Sequence, residues 1–231
     1  VAFHVVLPAA RYRGGPPKRQ FFDDLLTRMR ALPAFSRVTA VSALPMSPLG
    51  VQFDLSFSID GLEATSPSER PRAAYRGVMP GYFEAMAIPV RDGRTFTEFD
   101  GRDDGQRVAI VNETLARRYF GSTSPVNRLV KMPMAGDLTI IGVVADVKHG
   151  GLQSQAVPEV FVPYERLALS QMQVIVVTSV SVADASSAAK SALASVDPSL
   201  PFGKISRMED LVSASIAQPR FNMLLIIGLA L

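Results

Sequence analysis

FHVVL at residues 3–7, PPKRQFFDDLLTRMRAL at 16–32 and VTAVSAL at 38–44 read in order as strand, helix and strand. The first is a short apolar run of strand length, interrupted only by His4. In the second, Phe21, Phe22, Leu25, Leu26, Met29 and Leu32 recur at helical spacing, with Lys18, Arg19, Asp23, Asp24 and Arg28 on the other side. Pro16 and Pro17 follow the Gly14-Gly15 turn and suit a first helical turn, where a missing amide hydrogen costs nothing. Pro33 stops the helix.

The last third repeats that order. Met172 to Thr178 reads as a strand. Asp184 reads as the cap of a helix whose Ala185, Ala188, Ala189, Ala192, Leu193 and Val196 form one stripe, ended by Asp197-Pro198. Phe202 to Ile205 reads as a strand, and Ser206-Arg207-Met208-Glu209 has the spacing of a capping box opening a helix through Leu211, Val212 and Ile216.

The middle differs in texture. Phe53, Leu55, Phe57 and Ile59 alternate with Gln52, Asp54, Ser56 and Ser58, the pattern of a strand with one dry face. Glu63 to Arg72 reads as a loop, Ala74 to Met79 as a strand, and Tyr82, Phe83 and Met86 as a helical turn. Arg107 to Val111 is a strand, and Asn112 caps a brief helix that Gly121 ends. Leu138 to Val144 and Val160 to Val162 add strands. The predicted fold class is α+β: a discontinuous lobe of two strand–helix–strand units carrying an inserted β-rich lobe.

Composition bounds the function. The chain has 231 residues, 48% hydrophobic and 19% charged, enough for a substantial core. The absence of cysteine excludes disulfides, thiolate metal sites and cysteine nucleophiles. The net charge is +3, and 19 of the 24 basic residues are arginines. They are scattered, with no basic run interleaved with stacking aromatics, so they read as solvated surface arginines and no nucleic-acid partner is expected. From Phe221 to Leu231 only Asn222 is polar, and the apolarity extends all round. This run reads as the start of a transmembrane helix, truncated short of the roughly 20 residues a span needs.

Catalytic chemistry finds little to use. The two histidines, His4 and His149, lie far apart; His4 reads as structural and His149, before Gly150, as a turn residue. Neither stands in a zincin or nucleophile-elbow context. There is no Gly-x-x-x-x-Gly-Lys phosphate loop. The acidic stretch Glu98, Asp100, Asp103, Asp104 fails as a calcium loop from Asp100, because Arg102 takes the third position and Val111 the twelfth. With Arg94, Arg102 and Arg107 interspersed, it reads as a solvated, charge-balanced loop. No catalytic, cofactor-binding or metal residue is assigned, no cofactor is expected, and the chain is not expected to be an enzyme.

Specific strings carry a resemblance. Pro80-Gly81-Tyr82-Phe83-Glu84-Ala85-Met86-Ala87-Ile88-Pro89, then Gly93-Arg94-Thr95-Phe96 and Asp100, resembles a passage of MacB-like periplasmic core domains. So do Val108 to Glu113 with Ala116, Tyr119-Phe120 and Ser124-Pro125-Val126, the strand Thr139 to Val144, Pro158 to Pro163, and Asp197-Pro198 with Met208. The similarity runs along essentially the whole chain. These domains belong to ABC-transporter permeases of the MacB/FtsX superfamily, and the chain most resembles its duplicated orphan permeases. Ala87 and Asn127 replace glycines usual in the family, and both departures are expected to alter turn geometry.

The resemblance implies a periplasm-facing domain of a bacterial inner-membrane permease. Its porter-like lobe would span residues 1–90 and 170–218, its sabre-like insertion residues 91–169, and its membrane helix would begin at 221–231. The implied partners are a cytoplasmic ABC ATPase, a second permease copy or half, the lipid membrane and a periplasmic adaptor. The implied role is to couple ATPase-driven helix motion to export or periplasmic mechanotransmission. A membrane-tethered binding or adaptor module without an ATPase would use the same fold.

Overall fold

A computed structural model describes residues 1–59, 66, 70–102, 105–132, 135–151 and 153–213. Three strand and helix runs open the chain: β1 (Ala2–Val6), α1 (Pro16–Arg30) and β2 (Phe35–Val41). Then come β3 (Phe53–Ser56), β4 (Ser58–Ile59), β5 (Arg72–Val78), α2 (Tyr82–Ala85) and β6 (Val90–Gly93). The middle holds β7 (Val108–Asn112), α3 (Glu113–Phe120), β8 (Leu129–Met132), β9 (Gly136–Val144), β10 (Glu159–Pro163) and α4 (Tyr164–Leu167). β11 (Gln171–Thr178) and α5 (Val182–Val196) follow, and residues 208–213 are helical.

Among the described residues, eleven strands join one mixed sheet in the order β1-β11-β2-β5-β10-β7-β9-β8-β4, with β3 added to β5 and β6 to β9. α1 and α5 share one face of the terminal strands: Phe22, Leu25 and Met29 pack with Ala185, Ala189 and Leu193 over Val38, Val174 and Phe3. The helices from the two ends of the chain therefore meet in a single core. Leu115 of α3 covers the middle strands on that face, against Val111, Ile140, Val160 and Tyr75. α4 fills the seam, where Tyr164 meets Phe22 edge to face and Gly77 leaves room for Leu167; a Cβ at Gly77 would stand 3.1 Å from Leu167 Cδ1. Tyr82 and Phe83 of α2, with Phe96, Met208 and Leu211, cover the opposite face. The expected lobe boundary at 90/91 falls inside β6 and that at 169/170 just before β11, and the sheet is continuous from β5 to β10.

Several local expectations need correcting. The cap of α5 is Ser181, whose hydroxyl accepts from the Asp184 amide at 3.1 Å and donates to the Asp184 carboxylate at 2.6 Å; Asp184 is the third residue of the helix, not its cap. Residues 202–205 form no strand. They follow Pro201 and run beside β1, and the one bridge forms just after them, from Ala2 to Ser206. That bridge occupies the Ser206 amide, so the capping contact at the next helix moves one residue on, with Arg207 N–H donating to Asp210 at 3.4 Å. The alternating run 53–59 breaks at Phe57, whose amide turns to the Pro71 carbonyl, so β3 pairs with β5 and β4 with β8. Residues 221–231 lie outside the described residues. Among the described residues no helix is long and apolar enough to cross a membrane.

Ala87 and Asn127 keep the left-handed geometry that glycine would supply. Ala87 has φ 51° just past α2, where Ile88 N–H reaches Phe83 O at 2.8 Å and Ala87 N–H reaches Glu84 O at 3.3 Å, a Schellman closure. Asn127 has φ 66° in a turn closed from Arg128 N–H to Pro125 O at 3.0 Å. Alanine has no side-chain polar group to compensate for left-handed backbone, whereas asparagine tolerates it. Ala87→Gly should therefore stabilise by about 1 kcal/mol, read as a melting temperature about 2–4 °C higher, and Asn127→Gly should change it little.

Asp197 ties the end of α5 to the loop after β1. Its carboxylate accepts from the Ser199 hydroxyl and the Tyr12 hydroxyl, each at 2.7 Å, and pairs with Arg11 at 3.2 Å. The hydrogen bonds from Ser199 and then Tyr12 lower its pKa from 3.8 to about 2. A depressed folded-state pKa contributes stability that is present above the unfolded value and lost as pH falls through the folded one. Urea midpoints measured from pH 5 to pH 2 should accordingly fall less steeply for Asp197→Asn than for the unaltered chain.

Candidate functional site

β5 and β10 run parallel, and each carries one charge in an apolar run: Arg76 among Ala73 to Val78, Glu159 ahead of Val160 to Val162. Register places Glu159 opposite Ala74 and Arg76 opposite Phe161, so both side chains point to the α2 face. Both are 0% exposed, and Arg76 Nε donates to Glu159 Oε1 at 2.7 Å. Arg76 also donates Nη1 to the Ala43 carbonyl at 3.2 Å and Nη2 to Gln52 at 3.1 Å. A guanidinium with five fixed donors suits such a shared position better than a lysine would.

Around the pair the polar contacts continue. The Asn112 side-chain oxygen accepts from the Glu159 amide at 2.9 Å and the Leu115 amide at 3.0 Å, while its nitrogen donates to Val157 O at 2.8 Å. One buried asparagine thus caps α3 and cross-links β7 to β10. His149 Nε2 lies 2.8 Å from Glu159 Oε1, though out of line for a hydrogen bond, and its carbonyl accepts from the Met46 amide at 3.0 Å. Burial pushes the Tyr82 phenol well above its ordinary range; nearby Arg76 lowers it and Glu159 raises it further. This is a clamp of paired charges between strands. Among the described residues no group of three or more His, Asp or Glu side chains is placed to hold a metal ion.

The sequence reading missed this cluster and took His149 for a turn residue alone. Its signal was present: Arg76 inside the apolar run Ala73 to Val78, and Glu159 at the head of the apolar run Val160 to Val162. The acidic stretch that drew attention is not a solvated loop throughout. Asp100 is 5% exposed. Burial alone would raise its pKa, but hydrogen bonds from Arg94 at 2.7 and 2.9 Å, and from the Thr97 amide and hydroxyl, hold it below the usual carboxylate range. Glu98 pairs with Arg30 at 3.4 Å, and Asp103 and Asp104 lie outside the described residues. His4 sits in β1, where burial lowers its pKa and a hydrogen bond with Gln171 opposes the shift.

Gly93, in the string that includes Arg94 and Phe96, pairs with Gly142 of β9. A Cβ on Gly93 would stand 2.2 Å from the Ile141 carbonyl oxygen, and one on Gly142 2.3 Å from that of Arg94, so the two backbones cross at a distance only glycine permits. These strings thus build the crossing of β6 and β9 and the Arg94–Asp100 staple beyond it.

Removing one member of a buried ion pair leaves the other charge uncompensated. Glu159→Ala or Arg76→Met should each destabilise by about 3–5 kcal/mol, while the double variant Arg76→Met/Glu159→Met should recover most of that loss. Denaturant midpoints check this, and a double variant no better than the singles would mean the pair does not act as a unit.

The MacB-like periplasmic core domain model matches residues 4–195. YknZ of Bacillus subtilis, described as an ABC transporter permease, is 29% identical over 121 residues, 52% of this chain and 30% of that protein. The macrolide export ATP-binding/permease protein MacB of Mannheimia succiniciproducens is 30% identical over 89 residues, 38% of this chain and 13% of that protein. The chain thus matches less than a third of the length of either. Among solved structures, the periplasmic region of MacB from Actinobacillus actinomycetemcomitans superposes with a TM-score of 0.60 at 16% identity, covering 94% of this chain and 92% of that one. The extracellular domain of YknZ from Gram-positive bacteria gives 0.54 at 19% identity, covering 84% and 94%. At these identities the structures speak for the fold, and the family match, covering most of the chain, assigns it: this chain belongs to the MacB-like periplasmic core domain family.

Proposed function

We propose that the chain is the extracytoplasmic domain of an ABC-transporter permease in the inner membrane, and that it converts motion of membrane helices into export or mechanical work on the periplasmic side. The family match supports this reading, and one geometric observation carries it. Ala2 and Ser206 exchange two backbone hydrogen bonds of 2.8 Å each, so the start of β1 and the lead into helix 208–213 are joined side by side. A domain strung between two membrane helices needs its entry and exit together, so that displacement of either reaches the sheet directly. The expected membrane helix from Phe221, and the division into a porter-like lobe (1–90 and 170–218) and a sabre-like insertion (91–169), belong to this proposal.

The partners on this reading are a cytoplasmic ABC ATPase, a second permease copy or half, the lipid bilayer and a periplasmic adaptor. The domain itself would carry no chemistry. Nucleotide binding would rearrange the membrane helices, and the paired domains would follow as bodies.

A Gly/Ser stretch inserted after Gln218 tests the coupling in the full transporter. The domain has no cysteine, so Val180→Cys offers a single labelling position in it. Spin-label distances between paired domains should change on adding ATP. The insertion should abolish that change while the ATPase still binds nucleotide. An ATP-dependent change surviving the insertion, or none without it, would instead favour a tethered binding module.

A further inference from the structure

An open cleft of about 600 Å³ lies at the N-terminal ends of β5 and β10, within the range of about 300–1,000 Å³ for ligand clefts. Arg70, Arg72 and Arg118 line it against one carboxylate, Asp54. Arg72 spends part of its guanidinium on Asp54, with Nη2 to Oδ2 at 3.0 Å and to the Asp54 carbonyl at 3.2 Å. Arg70 and Arg118 have no acidic partner among the described residues, so the described lining of the cleft carries an excess of positive charge.

Two of these arginines are held in place before any ligand arrives. The Asp54 contacts fix Arg72, and the Tyr119 hydroxyl bonds the Arg72 backbone at both N–H and carbonyl, at 3.2 and 3.3 Å. The Arg118 guanidinium lies over the Tyr119 ring at 5.5 Å. Guanidinium groups positioned by their neighbours lose little freedom on binding and present paired donors to a carboxylate. Pro71, Pro158 and Val157, the last 45% exposed, give the cleft an apolar wall.

We propose that this cleft binds an extended acidic segment of a partner protein, with glutamate or aspartate carboxylates on the arginines and an intervening apolar side chain against Val157 and the prolines. A bare inorganic anion would leave that wall unused, which is why a peptide is the better fit. The inference rests on the cleft alone and stands whether or not the domain transmits motion. Gln52 lines the same cleft and accepts a hydrogen bond from the buried Arg76, so an occupant would lie one side chain from the β5–β10 clamp.

The test uses the full 231-residue chain in detergent and a fluorescein-labelled heptapeptide bearing glutamates around a central leucine, with its glutamine counterpart as control. Fluorescence anisotropy should show binding of the glutamate peptide, weakening with salt, and none of the glutamine peptide. The double variant Arg70→Ala/Arg118→Ala alters two exposed side chains and should lower affinity by about tenfold or more with unchanged melting temperature. Equal binding of both peptides, no binding, or a double variant that binds as the unaltered chain does would overturn the proposal. Displacement of the peptide by inorganic phosphate, where chloride of matched ionic strength fails, would reassign the cleft to small oxyanions and overturn it as well.

Discussion

A guanidinium and a carboxylate buried at zero exposure must be buried together, because either one left alone in an apolar interior costs several kcal/mol. Arg76 and Glu159 come from strands 83 residues apart in sequence, so satisfying the pair fixes how two distant parts of the chain meet. A slip of one residue along β5 would turn Arg76 to the opposite face and away from Glu159. The register of β5 against β10 is in turn the register of the terminal strands against the middle ones. Ala43 and Gln52 then attach to the Arg76 side chain and Asn112 to the Glu159 amide, so three further segments take their positions from this contact.

The terminal units were legible because each element repeats its own signal several times. Five apolar residues of α1, with Leu32 just past its end, and six of α5 fall at helical spacing, and no single exception could hide the pattern. What failed was decided elsewhere in the chain. Residues 202–205 have strand composition, but whether they join a sheet depends on the edge of β1 beside them, and one bridge is all that forms. Ser206 has the residue type of a cap, yet its amide is taken by Ala2 from the other end of the molecule. The 53–59 run alternates as a strand should, and its break at Phe57 comes from Pro71, reached only in three dimensions.

The clamp was missed for a related reason. A charge in a short apolar strand is ambiguous by itself, and only the pairing of β5 with β10 shows that the two charges answer each other. The strings that point to the family are, by contrast, local in sequence and structural in purpose. Gly93 and Gly142 let backbones cross, Arg94 holds Asp100, and Asn112 ties a helix cap to a sheet rung. Such residues report which fold is built and say little about what passes through or docks upon it.

The position of β11 governs when the molecule can finish folding. It lies between β1 and β2, pairing with both, although among the described strands it is the last to be made. During synthesis at ~5–20 residues per second, the interval between completing β2 and completing β11 is on the order of ten seconds. Throughout it β1 and β2 have a vacant lane between them, with hydrogen-bonding edges open to any stray strand. Closure of the sheet is therefore a late, long-range event, of the kind that slows folding. A nascent chain of this architecture gains from anything that holds it apart from its neighbours until residue 178 has emerged.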